Sequence, residues 1–251
     1  MLDATVEVVI PIYKPEPTAD ESASLDRTFL VLNKRKISFI APRGLDVSFY
    51  SLRFPQASYR YYPQEYFASV NGYSRLLVSD WFYESGETSN FILIVQTDVY
   101  LFRDDLDVWL KSPYDYVGAP WPDGIEVKIN VGKFAKIGGK TIRAYVGNGG
   151  LSLRRRSRCA ELIREHKEIA DWFCQTGSNE DLFFAFTGCL SSNFVLPNQI
   201  AAAAFSWELS PESFFVLSGG RLPMGVHGFR KHSADFWHTQ IKGFDDAATE
   251  A

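Results

Sequence analysis

The chain has 251 residues, 46% hydrophobic and 22% charged, with 26 Lys and Arg against 30 Asp and Glu. That is enough apolar material for one large α/β domain or two small ones, and a formal charge of −4 argues against a general affinity for nucleic acid. No apolar run approaches the ~20 residues that a membrane-spanning helix needs, and the opening MLDATVEVVIPIY lacks the basic start of a secretory signal.

VEVVIPI (6–12) is a Val/Ile-rich run stopped by prolines, and predicts a strand buried on both faces, as in a parallel sheet. From Asp20 to Lys34, Leu25, Phe29 and Leu32 recur at helical spacing. ISFIAP (37–42) predicts a second strand and RYY (60–62) a third. Asn71 is placed to cap a helix from Gly72 to Phe82. FILIV (91–95) predicts a central strand, and Asp104 and Asp105 supply acids to the first turn of a short helix at Leu106. This β–α–β–α order implies a doubly wound, mostly parallel sheet.

The second half has a different texture. YDYVGAPW (114–121) reads as a strand entering a loop, and the Gly- and Lys-rich stretch 127–146 as a hairpin or a mobile loop. Ser157 is placed to cap a helix with Cys159, Leu162, Ile163, His166, Ile169 and Ala170 on one face, and SNEDLFFAF (178–186) opens another. Short basic runs, Lys34 to Lys36 and Arg154 to Arg156, read as solvated helix ends. The acidic tail GFDDAATEA is expected to fray. No repeat or Pro/Gly-rich linker divides the chain, so one domain is expected over residues 1–251. Three cysteines without CxxC spacing fit a reducing, cytoplasmic compartment, with peripheral contact at the inner face of a membrane left open.

Several residues stand out chemically, each with a plain structural alternative. Asp98 ends the apolar run FILIVQTD (91–98): a carboxylate at a strand end either holds Mg²⁺ or Mn²⁺ beside phosphates or caps the next turn. Gly147-Asn148-Gly149-Gly150 is either a hairpin turn or a loop that lets a ligand approach the backbone. Glu180 and Asp181 either complement a helix dipole or include a general base. His227, in MGVHGF, is either a loop residue or a ligand that joins Asp98 on a metal. Trp121 either stacks on a sugar ring or covers the core.

In their order, the segments VVIPIYK (8–14), QTDVYLFRDDL (96–106), YDYVGAPW (114–121), VGNGGLSLR (146–154), NEDLFF (179–184), FSWE (205–208) and LPMGVHGF (222–229) resemble the glycosyltransferase-A (GT-A) superfamily. More closely, they resemble a poorly characterised group within it, once catalogued as a domain of unknown function. The resemblance implies an α/β, Rossmann-like GT-A fold: a mostly parallel central sheet flanked by helices, with a small antiparallel element in the second half. Residues to about 110 would bind the nucleotide, and 111–240 would carry the acceptor side and the catalysis. It further implies a nucleotide-sugar donor, most commonly a UDP-sugar, and a glycan or glycolipid acceptor of the kind used in polysaccharide or lipopolysaccharide assembly.

In that reading Pro11, Ile12 and Tyr13 face the nucleotide, Gln96, Thr97 and Asp98 match the acidic metal motif, and Asn148, Gly149 and Gly150 shape the donor-sugar pocket. Asp181, beside Glu180, is the base of an inverting transfer, Trp121 meets the acceptor, and Asp98 with His227 holds Mn²⁺ or Mg²⁺. The first acid of the metal motif is replaced here by Gln96. A sugar nucleotidyltransferase is the rival enzyme class, although VVIPIYKPEP offers no glycine for its phosphate loop. A non-catalytic carbohydrate-binding module using Trp121 is the rival outside enzymes.

Overall fold

Alternation along three apolar runs sorts the interior into two layers. The structure, a computed structural model, describes residues 5–85 and 89–241. Strand β1 (Val6–Pro11) sends Val8 and Ile10 to one face of the sheet and Val9 to the other. β2 (Lys36–Pro42) and β4 (Phe91–Val95) repeat the division: Phe39, Ala41, Leu93 and Val95 lie on the first face, Ile40, Ile92 and Ile94 on the second. A side-chain period of two with both faces covered makes an apolar run a two-faced strand.

Among the described residues, the main sheet has six strands in the order β3-β2-β1-β4-β7-β6, with β3 at Ser58–Tyr62, β6 at Tyr116–Ile129 and β7 at Lys140–Arg155. β3, β2, β1 and β4 are parallel, whereas β7 runs antiparallel to both β4 and β6. FILIV therefore lies in the middle of the sheet, as its composition predicts. A second sheet of three short strands joins β5 (Val99–Leu101), β9 (Gly225–His227) and β8 (Ser206–Trp207). It packs in an aromatic cluster with Trp207, Phe214, Phe229 and Trp237.

The helices are α1 (Ala19–Val31), α2 (Ser48–Arg53), α3 (Val70–Leu77), α4 (Asp80–Glu84), α5 (Leu106–Trp109), α6 (Arg156–Glu165), α7 (Lys167–Thr176), α8 (Glu180–Gly188), α9 (Gln199–Phe205), α10 (Pro211–Leu217) and α11 (Ala234–Gln240). None of the described helices is long and apolar enough to cross a membrane. α1 starts on a capping box: the Thr18 hydroxyl accepts from the Glu21 amide at 3.3 Å, and the Glu21 carboxylate accepts from the Thr18 amide at 2.7 Å.

The chain departs from local expectation in several places. The helix expected over 72–82 is two helices. Ser69 caps the first by accepting from the Gly72 amide at 3.0 Å, so Asn71 lies inside it, and the Ser79 hydroxyl closes its end on the Leu76 carbonyl. The helix expected from Ser157 begins at Arg156 and breaks at His166, which leaves the α region at φ −118°, ψ 38°. Residues 127–146 form the tip of a long β6–β7 hairpin, closed by a 3₁₀ turn at Gly132–Ile137. Asn148-Gly149 makes no turn. It lies within β7, where pairing with β6 slips at Ala119 and Pro120. Arg154 and Arg156 are buried rather than solvated. The acidic tail lies outside the described residues.

Candidate active site at the strand ends

A cavity of about 880 Å³ opens beyond the carboxyl ends of β1 and β4, where open α/β sheets bind ligands. Pro11 and Tyr13 line it from the end of β1, and Tyr13 is 57% exposed. Ile12 does not line it: its side chain alternates back into the core and its amide donates to the Ile40 carbonyl at 2.9 Å. Gln96, Thr97 and Asp98 form the turn that leaves β4, closed by the Val99 amide on the Gln96 carbonyl at 3.1 Å. The Thr97 hydroxyl donates to Glu21 at 3.1 Å, and Glu21 is also paired with Lys14.

From the opposite wall come Asn148, Gly149 and Gly150 of β7 and Glu180 and Asp181 at the start of α8. Both glycines sit where a side chain has no room. A Cβ on Gly149 would lie 2.9 Å from Glu180 Oε1, and one on Gly150 would run into the His227 ring. The Gly150 carbonyl accepts from the Gln96 amide at 3.0 Å, which ties the two walls together.

Trp121 is corrected by the structure. It is 5% exposed, belongs to the core cluster and does not line the cavity; its ring packs where a Gly147 side chain would be. Proline on both sides keeps its strand segment extended, and the pleat turns the indole inward.

Strand pairing across the small sheet sets Val99 opposite His227, and this brings His227 to Asp98. His227 Nε2 lies 3.0 Å from Asp98 Oδ1. Its Nδ1 lies 3.2 Å from Glu208 Oε1, within ion-pair distance but off the line of a good hydrogen bond. Lys231 Nζ takes the other Asp98 oxygen at 2.8 Å. Burial by itself would lower the His227 pKa, but Asp98 and Glu208 outweigh it and push it up to about 9. Burial would likewise raise the Asp98 pKa, and the bonds and charges of His227 and Lys231 reverse this, holding it well below the ordinary carboxylate range.

Glu180 and Asp181 have separate fates. Glu180 is buried, with Oε1 accepting from Arg154 at 3.0 Å and Oε2 from the Ser74 hydroxyl at 3.1 Å. Arg154 is completely buried, sits over the rings of Tyr116 and Phe184, and also donates to Tyr83 and Ser152. Both Glu180 oxygens are thus committed to the scaffold, and the expectation that Glu180 shares the catalysis is corrected to one of support. Among the described residues, Asp181 accepts from the neighbouring Leu182 amide, at 2.7 Å. Burial, reinforced by the Glu180 charge, pushes its carboxyl up to about 7. A carboxylate that takes up a proton near neutral pH suits a general base.

The expected pairing of Asp98 and His227 on Mn²⁺ or Mg²⁺ does not fit this arrangement. A divalent ion needs lone pairs left open, ideally several oxygens. Here each Asp98 oxygen meets a cationic nitrogen, each His227 nitrogen faces a carboxylate, and Gln96 replaces the first acid of the motif. Among the described residues, no group of three or more His, Cys, Asp or Glu is arranged to hold a metal ion.

Among the cavity residues without a sequence expectation, Glu21, Glu208 and Lys231 bear on the chemistry. Glu21 was legible as the fourth position of Thr18-Ala19-Asp20-Glu21, a capping-box pattern. Glu208 ends the FSWE segment, where nothing local marks it as a partner of His227. Lys231 follows the MGVHGF segment, and no local pattern connects it to Asp98.

A family model described as "Protein of unknown function (DUF5672)" matches residues 56–227. By sequence, no curated protein matches the chain. Among solved structures, the apo form of mouse xyloside xylosyltransferase 1 is similar at 11% identity and a TM-score of 0.53, over 90% of this chain and 98% of that one. The galactosyltransferase LgtC, in complex with donor and acceptor sugar analogues, is similar at 13% identity and a TM-score of 0.56, over 88% of this chain and 86% of that one. At such identities the likeness is one of fold, and that fold is GT-A: a mostly parallel sheet flanked by helices, with antiparallel strands added from the second half.

Proposed function

The chain belongs to the DUF5672 family, and we propose that it is a glycosyltransferase, moving a sugar from a nucleotide-sugar donor, a UDP-sugar by preference, to a hydroxyl of a glycan or glycolipid acceptor. The observation that carries this reading is Asp181: a carboxyl with a pKa of about 7, both glycine-shaped and acid-lined in its surroundings, in the same cavity as the strand-end group Asp98, His227 and Lys231.

In the reaction, Asp181 takes the proton of the acceptor hydroxyl as its oxygen bonds to the anomeric carbon. The bond from that carbon to the diphosphate breaks on the opposite face, so the configuration inverts. Tyr13 offers an exposed ring to the nucleotide base. Asn148 and the two glycines after it leave room for the donor sugar beside the base. Glu180, held by Arg154, keeps α8 at a fixed distance and raises the proton affinity of Asp181 through its charge. The binding-module reading loses its stacking residue, since Trp121 is buried.

The test is Asp181→Asn. Transfer is expected to fall at least about 100-fold, the usual range for losing a general base, with UDP-sugar affinity unchanged within about threefold. Equal loss of transfer and of donor binding would remove Asp181 from the role of base.

A further inference from the structure

The cavity is lined by Asp20, Glu21, Asp98, Glu180, Asp181 and Glu208. A diphosphate cannot settle among six carboxyl groups unless a cation meets it. Most of the nearby cations are already enclosed. Arg154 is buried against Glu180, and His227, 13% exposed, is held between Asp98 and Glu208. Arg230, 24% exposed, lies 2.9 Å from Asp20. Lys231 differs: its side chain is 71% exposed, it lines the cavity, and its Nζ sits on Asp98.

Its position is built by the backbone. Gly228 adopts φ +61°, its amide donates to the Asp98 carbonyl at 3.1 Å, and the Lys231 amide donates back to the Gly228 carbonyl at 2.9 Å. The turn after β9 is thereby pinned to the turn after β4, with Lys231 folded over it.

We infer that Lys231 is the cation that receives the donor's diphosphate, so that nucleotide binding proceeds without a divalent ion. This rests on the reading of the cavity as a nucleotide-sugar site. The Lys231 side chain is exposed beside the cavity, and an ammonium with three donors suits a phosphate well. When Lys231 moves to the diphosphate, Asp98 keeps His227 on its other oxygen, so the move leaves no unpaired carboxylate. As the sugar–oxygen bond breaks, negative charge grows on the departing phosphate oxygen, where the ammonium stabilises it.

The test is calorimetric titration of UDP and of uridine into the full chain, in EDTA and in Mn²⁺, with Lys231→Ala and Lys231→Arg alongside. Expected are UDP binding in EDTA within about threefold of that in Mn²⁺ and a loss of about tenfold or more in Lys231→Ala. Most of the affinity should return in Lys231→Arg, and uridine binding should be equal in all three proteins. UDP binding that requires Mn²⁺ and ignores Lys231→Ala would overturn the inference while leaving the nucleotide site standing. If wild-type protein binds neither UDP nor uridine under any condition, the nucleotide-sugar reading itself falls, and the inference with it. Thermal unfolding of the two variants, expected within about 2 °C of wild type because the side chain is exposed, separates lost binding from lost fold.

Discussion

Asp181→Asn should make the protein more stable, by an amount that grows as pH rises above about 4 and is complete above 7. The folded protein holds this carboxyl at about 7 against an ordinary value of 3.8. A group whose folded pKa is raised is penalised when ionised: the cost is absent below pH 3.8, grows as pH rises, and is complete above 7. The difference between the two values corresponds to about 4 kcal/mol at full ionisation. Relaxation of the cavity wall and entry of water reduce this to about 2 kcal/mol in the intact fold. Asparagine keeps the size of the side chain and the oxygen that accepts from the Leu182 amide, so it removes the charge with little else. In a chain of this length about 2 kcal/mol raises Tm by about 4–8 °C. Thermal unfolding by circular dichroism at pH 8 should show that gain, and at pH 4 it should shrink below about 1 °C. A gain of equal size at both pH values, or a destabilisation at pH 8, would refute the assignment of a strained, proton-seeking carboxyl. The transfer assay on the same variant should move the opposite way, a stability–function trade at one residue.

Arg154→Met should be severely destabilising, by about 3–5 kcal/mol, because it strands the buried Glu180 carboxylate among Tyr83, Tyr116 and Phe184. Urea unfolding measures this, and a loss under about 1 kcal/mol would show that Glu180 has other support. Gly150→Ala should fold but push the His227 ring away from Asp98, since the added methyl occupies the ring's place. UDP affinity should drop by about tenfold as the strand-end group is disturbed, with a shifted His227 ring signal by NMR; unchanged binding and an unchanged ring would mean the backbone yields instead.

Much of the frame was legible in the sequence because its signals are local. Two-faced apolar runs at 6–12, 37–42 and 91–95 can bury both faces only as inner strands, and each is one. The short carboxylate, glycine and histidine segments identified by resemblance do converge on one cavity, apart from Ile12 and Trp121. Local signals failed where a distant partner outbid them. Asn148-Gly149 reads as a turn, yet the neighbouring strands draw it into β7. Arg154 reads as a solvated charge, yet Glu180 and two aromatic rings enclose it.

The same limit governs the chemistry. Residue type at positions 98, 181 and 227 announced an acid, a base and a histidine. Which acid would be free and which committed depended on Arg154, 26 residues before Glu180, and on Ser74, 106 before it. Whether Asp98 faced an open metal position or an ammonium depended on Lys231, 133 residues away and folded back by a turn at Gly228. Periodicity and capping act over a few residues, so a sequence displays them directly. The charge state of a buried group is set by whatever the whole chain brings within a few ångströms, and only the tertiary structure decides that.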